Sequence, residues 1–509
     1  GKITLTGQTG NIFAYSGVVN SSSTSGAGGD IALATPNEVG INSIDANGLL
    51  PGTGNISISG NEIGFSGGGF AQSKGSFSVE PFSPNVGIRF QAGLGDDPQA
   101  IDVGSPFLSS LRNGFSAIVF GGNATTGNIS VENLPVSFAD PVTFNTQGAI
   151  FLKPNQSISG TDNASITLNA TTNNLSGNIT TESQDITING NTLVGDSVLV
   201  SNGNSAGGNI LFNNNIDGTG NLTLETGTGK IEVKGLIGDA TVLGIGNLTV
   251  RSAGSTTFNA VKATSFTTNA DGTTELKGDV TTTGSQTYGD AVTIANNLIL
   301  TGSEITFDNT VDGSSDLTAN AVSGNLTFNG AVGNPTNAIG NLTANSTGTT
   351  AFNQTVNAAS LTTNIDGTTQ LNANVTTIGS QTYGDAVTIA KNPTLSGSGI
   401  TFTDTVNGSS DLTVNGGTGN VTFNGAVGNP TNVIGNLKAN STGTTAFNET
   451  VNAASLTTNI DGTTQLNANV TTIGSQTYGD AVTIAKNPIL LGDSITFNNT
   501  VDGTSDLTV

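Results

Sequence analysis

One eleven-residue stretch, SQTYGDAVTIA, occurs three times in this chain and places a tyrosine two residues before an aspartate. The three pairs are Tyr288/Asp290, Tyr383/Asp385 and Tyr478/Asp480. A phenol and a carboxylate at this spacing can perform acid–base chemistry, bind a metal ion or bind a sugar. The structural alternative is an inward-facing hydrophobic residue, a turn and a second strand.

Comparison with sibling motifs favours the structural alternative. Tyr383 in "QTYGDAV" occupies the position of Phe328 in "LTFNGAV", of Phe352 in "TAFNQTV" and of Leu371 in "TQLNANV". This equivalence predicts an inward-facing ring whose hydroxyl reaches the edge of the core. If the three tyrosines pointed outward instead, they would form an evenly spaced row able to bind a neighbouring copy of the protein.

Two groups of aspartates are candidate ligand sites. Asp290, Asp385 and Asp480 are weak calcium candidates, because carboxylates at equivalent corners of a repeat can coordinate Ca²⁺. A nearby corner holds Asp312 in one repeat and Asn407 in the next, an exchange that suits a turn better than a metal ligand. The second group is the only acidic cluster that is not repeated, and it is a possible ligand or lateral contact: Asp96, Asp97 and Asp102.

The composition excludes several classes of function. The 509 residues carry a net charge of −23 with only 13 Lys and Arg, which disfavours nucleic acid as a partner. The absence of His and Cys excludes Ser-His-Asp catalysis, histidine zinc sites and disulfides. No apolar run approaches the ~20 residues needed to span a bilayer, so membrane insertion is not predicted. No cofactor other than the weak calcium candidate is predicted.

A repeat of 95 residues organises the second half of the chain. Phe212, Phe307, Phe402 and Phe497 mark its step, and the tyrosines keep the same spacing. The predicted organisation is irregular solenoid at 1–79, an inserted or side segment at 80–120, further solenoid at 121–211 and the repeats at 212–509. The repeats are 212–306, 307–401, 402–496 and a partial copy at 497–509. The chain lacks Met even at position 1, and we expect it to be a window of a longer, processed protein.

Within each repeat, strands of three to five residues alternate with Gly, Asn and Asp turns at a step near 20 residues. This pattern predicts an all-β fold, a parallel β-solenoid in which stacked coils bury Ile, Val, Leu and Phe in one continuous column. Four or five coils of about 4.8 Å per repeat would make a rod, with Asn side chains stacked in hydrogen-bonded ladders along it. Residues 80–120 break the pattern, and "SPFLSSLRNGF" predicts a short helical turn there.

Three stretches resemble the filamentous-haemagglutinin-type exoproteins of Gram-negative bacteria, cyanobacterial ones in particular. They are "TTNIDGTTQLNANVTTIGSQTYGDAVTI", "IDGTGNLTLETGTGK…GLIGDATVLGIGNLTV" and "LSSLRNGFSAIVFGGNATTGNISVENLPVSFADPVTF". The resemblance implies a right-handed parallel β-helix, secretion through an outer-membrane partner, and a role in adhesion or fibre formation. It carries over no catalytic residue.

The sequence therefore predicts a structural, extracellular cell-surface protein without catalytic activity, whose partners are identical rods in a fibre and cell-surface glycans. The alternative is a polysaccharide-binding or polysaccharide-degrading β-helix. A degrading enzyme needs a singular cluster of carboxylates in a groove, and only the 96–102 segment offers one.

Overall fold

The computed structural model describes residues 1–93, 97–203, 207–238 and 244–509. The described chain is almost entirely short β-strands that stack in parallel as a β-solenoid, which confirms the predicted all-β fold. The chain forms two compact units, residues 1–264 and 265–509. Their boundary falls inside the repeat 212–306, so the units do not follow the repeat boundaries.

The first unit contains the only helix of the described residues, Ser105–Ser110, where the sequence predicts a helical turn. Its strands are Ile3–Thr6, Ile12–Asn20, Ile31–Ala34, Glu38–Asp45, Ile56–Gly60, Glu62–Phe65, Ala71–Gln72, Ser76–Pro81, Gly87–Phe90, Ala100–Val103, Ala117–Gly121, Ile129–Val131, Val136–Phe138, Val142–Asn145, Ala149–Leu152, Ser157–Gly160, Ile166–Leu175, Asn178–Thr181, Ile186–Val194, Val198–Ser201, Ile210–Phe212, Ile216–Gly218, Leu222–Thr226, Ile231–Val233, Ile245–Ser252 and Ser255–Phe258.

The strand Val261–Thr268 contains the boundary between the units. The strands of the second unit are Thr273–Leu276, Val280–Thr282, Gln286–Tyr288, Ala291–Ile294, Leu298–Gly302, Ile305–Phe307, Val311–Gly313, Leu317–Ala321, Leu326–Phe328, Ile339–Ser346, Thr349–Phe352, Val356–Thr363, Thr368–Leu371, Val375–Thr377, Gln381–Tyr383, Ala386–Ile389, Thr394–Ser396, Ile400–Phe402, Val406–Gly408, Leu412–Asn415, Val421–Phe423, Ile434–Asn440, Thr444–Phe447, Val451–Thr458, Thr463–Leu466, Val470–Thr472, Ser475–Tyr478, Ala481–Ile484, Leu490–Leu491, Ser494–Phe497 and Val501–Gly503.

One coil of the second unit consists of three short strands on three faces, as in Thr368–Leu371, Val375–Thr377 and Gln381–Tyr383. The coil that follows begins at Ala386–Ile389, which pairs in parallel with Thr368–Leu371. Along each strand buried and solvent-facing residues alternate, because successive side chains of a strand point to opposite faces. A coil cannot cover its own apolar residues, so the core forms only as coils stack.

The 95-residue repeat does not correspond to a whole number of coils. Tyr383 begins a column in which each residue pairs with the one in the next coil. The column continues through Phe402, Phe423, Phe447 and Leu466. Leu466 then pairs with Ile484, whereas the next tyrosine lies two strands beyond Leu466, at the end of Ser475–Tyr478. One repeat therefore spans four coils and two of the three faces of a fifth, within the predicted four to five.

This mismatch places the three tyrosines on three different faces of the second unit. Tyr288 starts its own column, which runs through Phe307, Phe328, Phe352 and Leu371 before reaching Ile389. All three tyrosines are fully buried. The inward orientation predicted from the sibling motifs is confirmed, and the hypothesis of an outward row is wrong.

Asparagine side chains form the predicted ladders on the solvent side of the coils. Asn353 donates from Nδ2 to Oδ1 of Asn329 at 2.8 Å, and Asn372 donates to Asn353 at 2.6 Å. The next repeat reproduces both bonds between Asn448 and Asn424 and between Asn467 and Asn448. The amide carries a donor and an acceptor, so one residue type can bond both the coil before and the coil after it.

The segment 80–120 contains both stacked and irregular structure. Ser76–Pro81 pairs with Ala117–Gly121, and Gly87–Phe90 pairs with Ile129–Val131, so these strands belong to the solenoid. The irregular part lies within residues 91–93 and 97–116, where Ala100–Val103 pairs with Gly87–Phe90 and leads into the helix. The end of this part is fixed to the stack because the Gly114 amide donates to Asp140 at 3.0 Å.

Candidate functional site: a buried Tyr–Gln–Asp set and an acidic groove

The repeated tyrosines are fixed in the core by a glutamine of the same strand. The Tyr383 hydroxyl donates to Oε1 of Gln381 at 2.9 Å, and Nε2 of Gln381 donates to the Ser396 carbonyl at 2.9 Å. Gln381 is also fully buried. The ring of Tyr383 stacks on Phe402 with centroids 5.1 Å apart. The phenol is thus enclosed by the core, and nothing in this arrangement presents it to a substrate.

Each aspartate of the repeated pairs is buried against threonine hydroxyls. Thr363 and Thr369 donate to the same oxygen of Asp385 at 2.9 and 2.7 Å. Thr268 and Thr274 bond the Asp290 carboxyl at 2.6 and 2.7 Å, one on each oxygen. Thr458 and Thr464 bond Asp480 in the same way as in the second copy. These hydroxyls tie the corner after the tyrosine to the coil that precedes it.

The calcium hypothesis gains no support from this geometry. Across the described ranges, no group of three or more acidic side chains is arranged to hold a metal ion. Calcium requires six to eight oxygen ligands. The atoms nearest to these carboxylates are hydroxyls that donate hydrogen bonds to them, and one oxygen each of Asp385 and Asp480 has no hydrogen-bond partner.

Burial raises the pKa of Asp385 because the charged carboxylate loses its hydration, although the Thr369 and Thr363 hydroxyls partly offset the effect. A carboxyl whose pKa is higher in the folded than in the unfolded state binds its proton more tightly when folded. Its contribution to stability is complete below the unfolded pKa near 3.8 and is lost as the pH rises through the folded pKa.

We therefore predict that Asp385→Asn gains stability relative to the parent protein as the pH is raised from about 4 to about 7. Urea unfolding followed by circular dichroism at several pH values measures the difference. Asp366→Asn is the matched control, since it removes one carboxylate from an exposed turn of the same repeat. The prediction would be contradicted if both variants changed the free energy of unfolding by the same amount at every pH.

The pKa values of the tyrosine hydroxyls give a second prediction that depends on pH. Burial raises the pKa of Tyr288, Tyr383 and Tyr478 far above 10, whereas Tyr15 is half exposed and its pKa rises mainly through partial burial and its bond to Glu38. A raised tyrosine pKa stabilises the fold below about pH 10, and this stability is lost as the pH rises further.

Ultraviolet titration should accordingly show one of the four tyrosines ionising reversibly in the folded protein above pH 10. The other three should ionise together only as circular dichroism reports unfolding. Tyr15→Phe should remove the first step and leave the second. Gradual ionisation of several tyrosines without loss of the β signal would show that the buried rings are accessible.

The acidic cluster near residue 100 lies on the wall of a groove in the first unit. Arg89 binds Asp102 through two nitrogens, at 2.8 and 3.1 Å, and approaches Asp97 at 3.4 Å. The bond to Asp102 raises the pKa of Arg89. Asp96, the third predicted residue, lies outside the described residues. The structure thus brings Asp97 and Asp102 together, and it makes Asp102 part of an ion pair.

The groove has a volume of about 630 Å³. It lies where two neighbouring sheets meet whose edge strands are not hydrogen-bonded to each other. Its two edges are Glu62–Phe65, the end of the sheet built from Ile12–Asn20 and Glu38–Asp45, and Ala100–Val103. Asn11, Glu38, Glu62, Asp97 and Asp102 contribute polar side chains to its lining. The lining thus contains four carboxylates, of which only Asp97 and Asp102 are shown paired with Arg89, and the groove is acidic.

Sequence reasoning missed the half of this groove formed by the first 65 residues. Tyr15 borders it and donates to Oε1 of Glu38 at 2.8 Å, and Nδ2 of Asn11 donates to the other oxygen at 3.3 Å. One signal was present, since Tyr15 is the only tyrosine outside the repeats. The proximity of these residues to Asp97 and Asp102, roughly 60 to 90 positions later, follows only from the stacking of coils.

No helix among the described residues is long and apolar enough to cross a membrane. No family model matches the chain, and no curated protein sequence matches it. The function of the chain must therefore be inferred from its residues and their geometry.

Proposed function

We propose that this chain is a structural segment of an extracellular bacterial surface protein, one that builds or extends a fibre or an adhesin and performs no catalysis. The observation that carries the proposal is the use of the repeated polar residues. In each copy the tyrosine and the glutamine two residues before it are buried and share a hydrogen bond. Tyr383 donates to Gln381, and Tyr478 donates to Gln476. These side chains are thus enclosed in the core, and the two glutamines also donate to carbonyls of the next coil, those of Ser396 and Leu491.

The resemblance to filamentous-haemagglutinin-type exoproteins agrees with this proposal, because a parallel β-solenoid is the fold that it implies. By the same resemblance, the partners are identical chains in a fibre and an outer-membrane secretion protein. The low charge density, 10% of residues, suits a repetitive structure in which coil-to-coil bonds replace ion pairs. We place the protein at the cell surface.

Electron microscopy of the producing cells, with the native protein labelled by antibody, tests the proposal. Gold particles along fibres or over the outer surface are the expected result. A diffuse soluble pool of labelled protein that cleaves polysaccharide would overturn it and would favour the degrading alternative. A strain that lacks the gene provides the control for antibody specificity.

A polysaccharide-binding function remains the second candidate, and the acidic groove of the first unit is the observation that favours it. This function is compatible with a surface location, because an adhesin needs a ligand. The two proposals are tested separately: microscopy locates the protein, and purified protein reports on the groove.

A further inference from the structure

The groove adjoins a pair of exposed aromatic rings on the outer face of the first unit. In the strand Ile12–Asn20, Ile12 and Ala14 pair with the buried residues Val39 and Ile41. Side chains alternate along a strand, so Phe13 and Tyr15 point away from the core. Their rings are about half exposed and stack with centroids 5.0 Å apart. The position of the two rings is fixed by the strand rather than by a loop.

Two glycines, which have no side chain, leave a shallow depression in the surface beside these rings. Gly40 and Gly64 lie side by side in paired strands. The Tyr15 ring covers Gly40, since a Cβ atom added there would lie 2.4 Å from the ring. Above Gly64 the space is open, because no atom lies within 4 Å of the position of an added Cβ. The edge of an aromatic ring therefore borders an open floor that continues into the groove.

Polar groups around this floor are held in place before any ligand binds. Glu38 receives hydrogen bonds from Tyr15 and Asn11, which fix the orientation of its carboxylate. On the opposite wall the ion pair with Arg89 fixes Asp102. A preorganised set of acceptors lowers the entropy lost on binding.

We propose that this groove binds an uncharged glycan chain. The C–H groups on one face of a pyranose ring pack against the exposed parts of the Phe13 and Tyr15 rings, which border the floor. The hydroxyls on the rim of the sugar donate to carboxylates, which are strong acceptors. The excess of carboxylates repels uronate, sulfate and phosphate groups, so acidic polysaccharides and nucleic acids are excluded as ligands.

Binding can be measured with purified protein by isothermal titration calorimetry, using hexasaccharides of β-1,4-linked glucose and of N-acetylglucosamine. Tyrosine fluorescence gives a second readout, because Tyr15 is half exposed while the other three tyrosines are buried. We expect at least one of these neutral chains to bind and to change the Tyr15 emission. Polygalacturonate, the anionic probe, should not bind.

Gly64→Val is the decisive variant. The added side chain projects into open space from a strand, a setting that tolerates β-branched residues, so the fold should be preserved. We expect it to weaken glycan binding by about tenfold or more, as should Tyr15→Ala. Gly67→Val is the matched control, because the site is equally open but does not line the groove; it should bind as the parent protein does.

Three results would overturn the inference. The first is failure of both neutral hexasaccharides to bind. The second is binding that Gly64→Val leaves unchanged while circular dichroism shows the variant folded. The third is saturable binding of calcium chloride or a lysine-rich peptide in the absence of glycan binding, which would show that the groove is a cation site. None of these results would bear on where the protein is located in cells.

Discussion

Replacement of Tyr383 by alanine should destabilise the coils around it by about 3–5 kcal/mol, the usual cost of removing a large buried aromatic side chain. The ring is fully buried and begins a column of stacked rings, with Phe402 at 5.1 Å and Phe423 a further 4.9 Å along. The solenoid backbone is held by ladders on three faces, so the walls of the cavity cannot collapse easily to fill it.

Hydrogen exchange resolved by mass spectrometry measures this loss as a lower free energy of opening for peptides of the neighbouring coils. Tyr383→Phe keeps the ring and should cost only about 1–3 kcal/mol, since it leaves one oxygen of Gln381 without its donor. Thr382→Ala, in the same strand but facing outward, is the control. Equal protection in Tyr383→Ala and Thr382→Ala would show that the aromatic column does not stabilise the stack.

Replacement of Gln381 by leucine should destabilise the same coils by about 2–4 kcal/mol although it inserts an apolar residue into the core. Gln381 is fully buried, accepts from the Tyr383 hydroxyl and donates to the carbonyls of Ser396 at 2.9 Å and Val375 at 3.3 Å. Leucine would leave the phenol without an acceptor and would remove one donor from each carbonyl. Desolvation of these groups outweighs the gain in apolar surface.

Gln370→Leu distinguishes this effect from a general response to leucine. Gln370 lies in the strand Thr368–Leu371 on another face of the same coil and points outward, so the substitution should change exchange protection by less than about 0.5 kcal/mol. If Gln381→Leu proved as stable as the parent protein, the buried glutamine would have a role other than stability. Pairing Gln381→Leu with Tyr383→Phe should show non-additive losses, because the two side chains share one hydrogen bond.

Much of the fold could be predicted from residue pattern alone. The alternation of apolar and polar residues in stretches such as Leu326–Phe328, bounded by Gly and Asn turns, identifies short half-buried strands. Their spacing near 20 residues identifies stacked coils. The equivalence of Tyr383 with Phe328 and Phe352 indicates an inward ring, and the structure places it there. These inferences succeed because burial of alternate side chains is a local property of the strand.

The roles of Asp385 and Asp290 needed the structure. Their sequence context suggested an exposed corner and a calcium ligand, but threonines 16 and 22 positions earlier donate to them inside the stack. The acidic groove shows the same limit. Sequence reasoning selected Asp97 and Asp102 and overlooked Tyr15 and Glu38, because residues in separate coils meet only after each coil is placed on the last.

The sequence by itself determined that this protein is a stack of short parallel strands with a 95-residue repeat, since strand periodicity and repeat length are both written along the chain. Only the tertiary structure decided how the repeat maps onto the coils. Turn lengths differ within the repeat, and 95 residues end one strand short of completing a fifth coil. Tyrosines that are equivalent in sequence therefore lie on different faces, which explains why a row along the surface could not form.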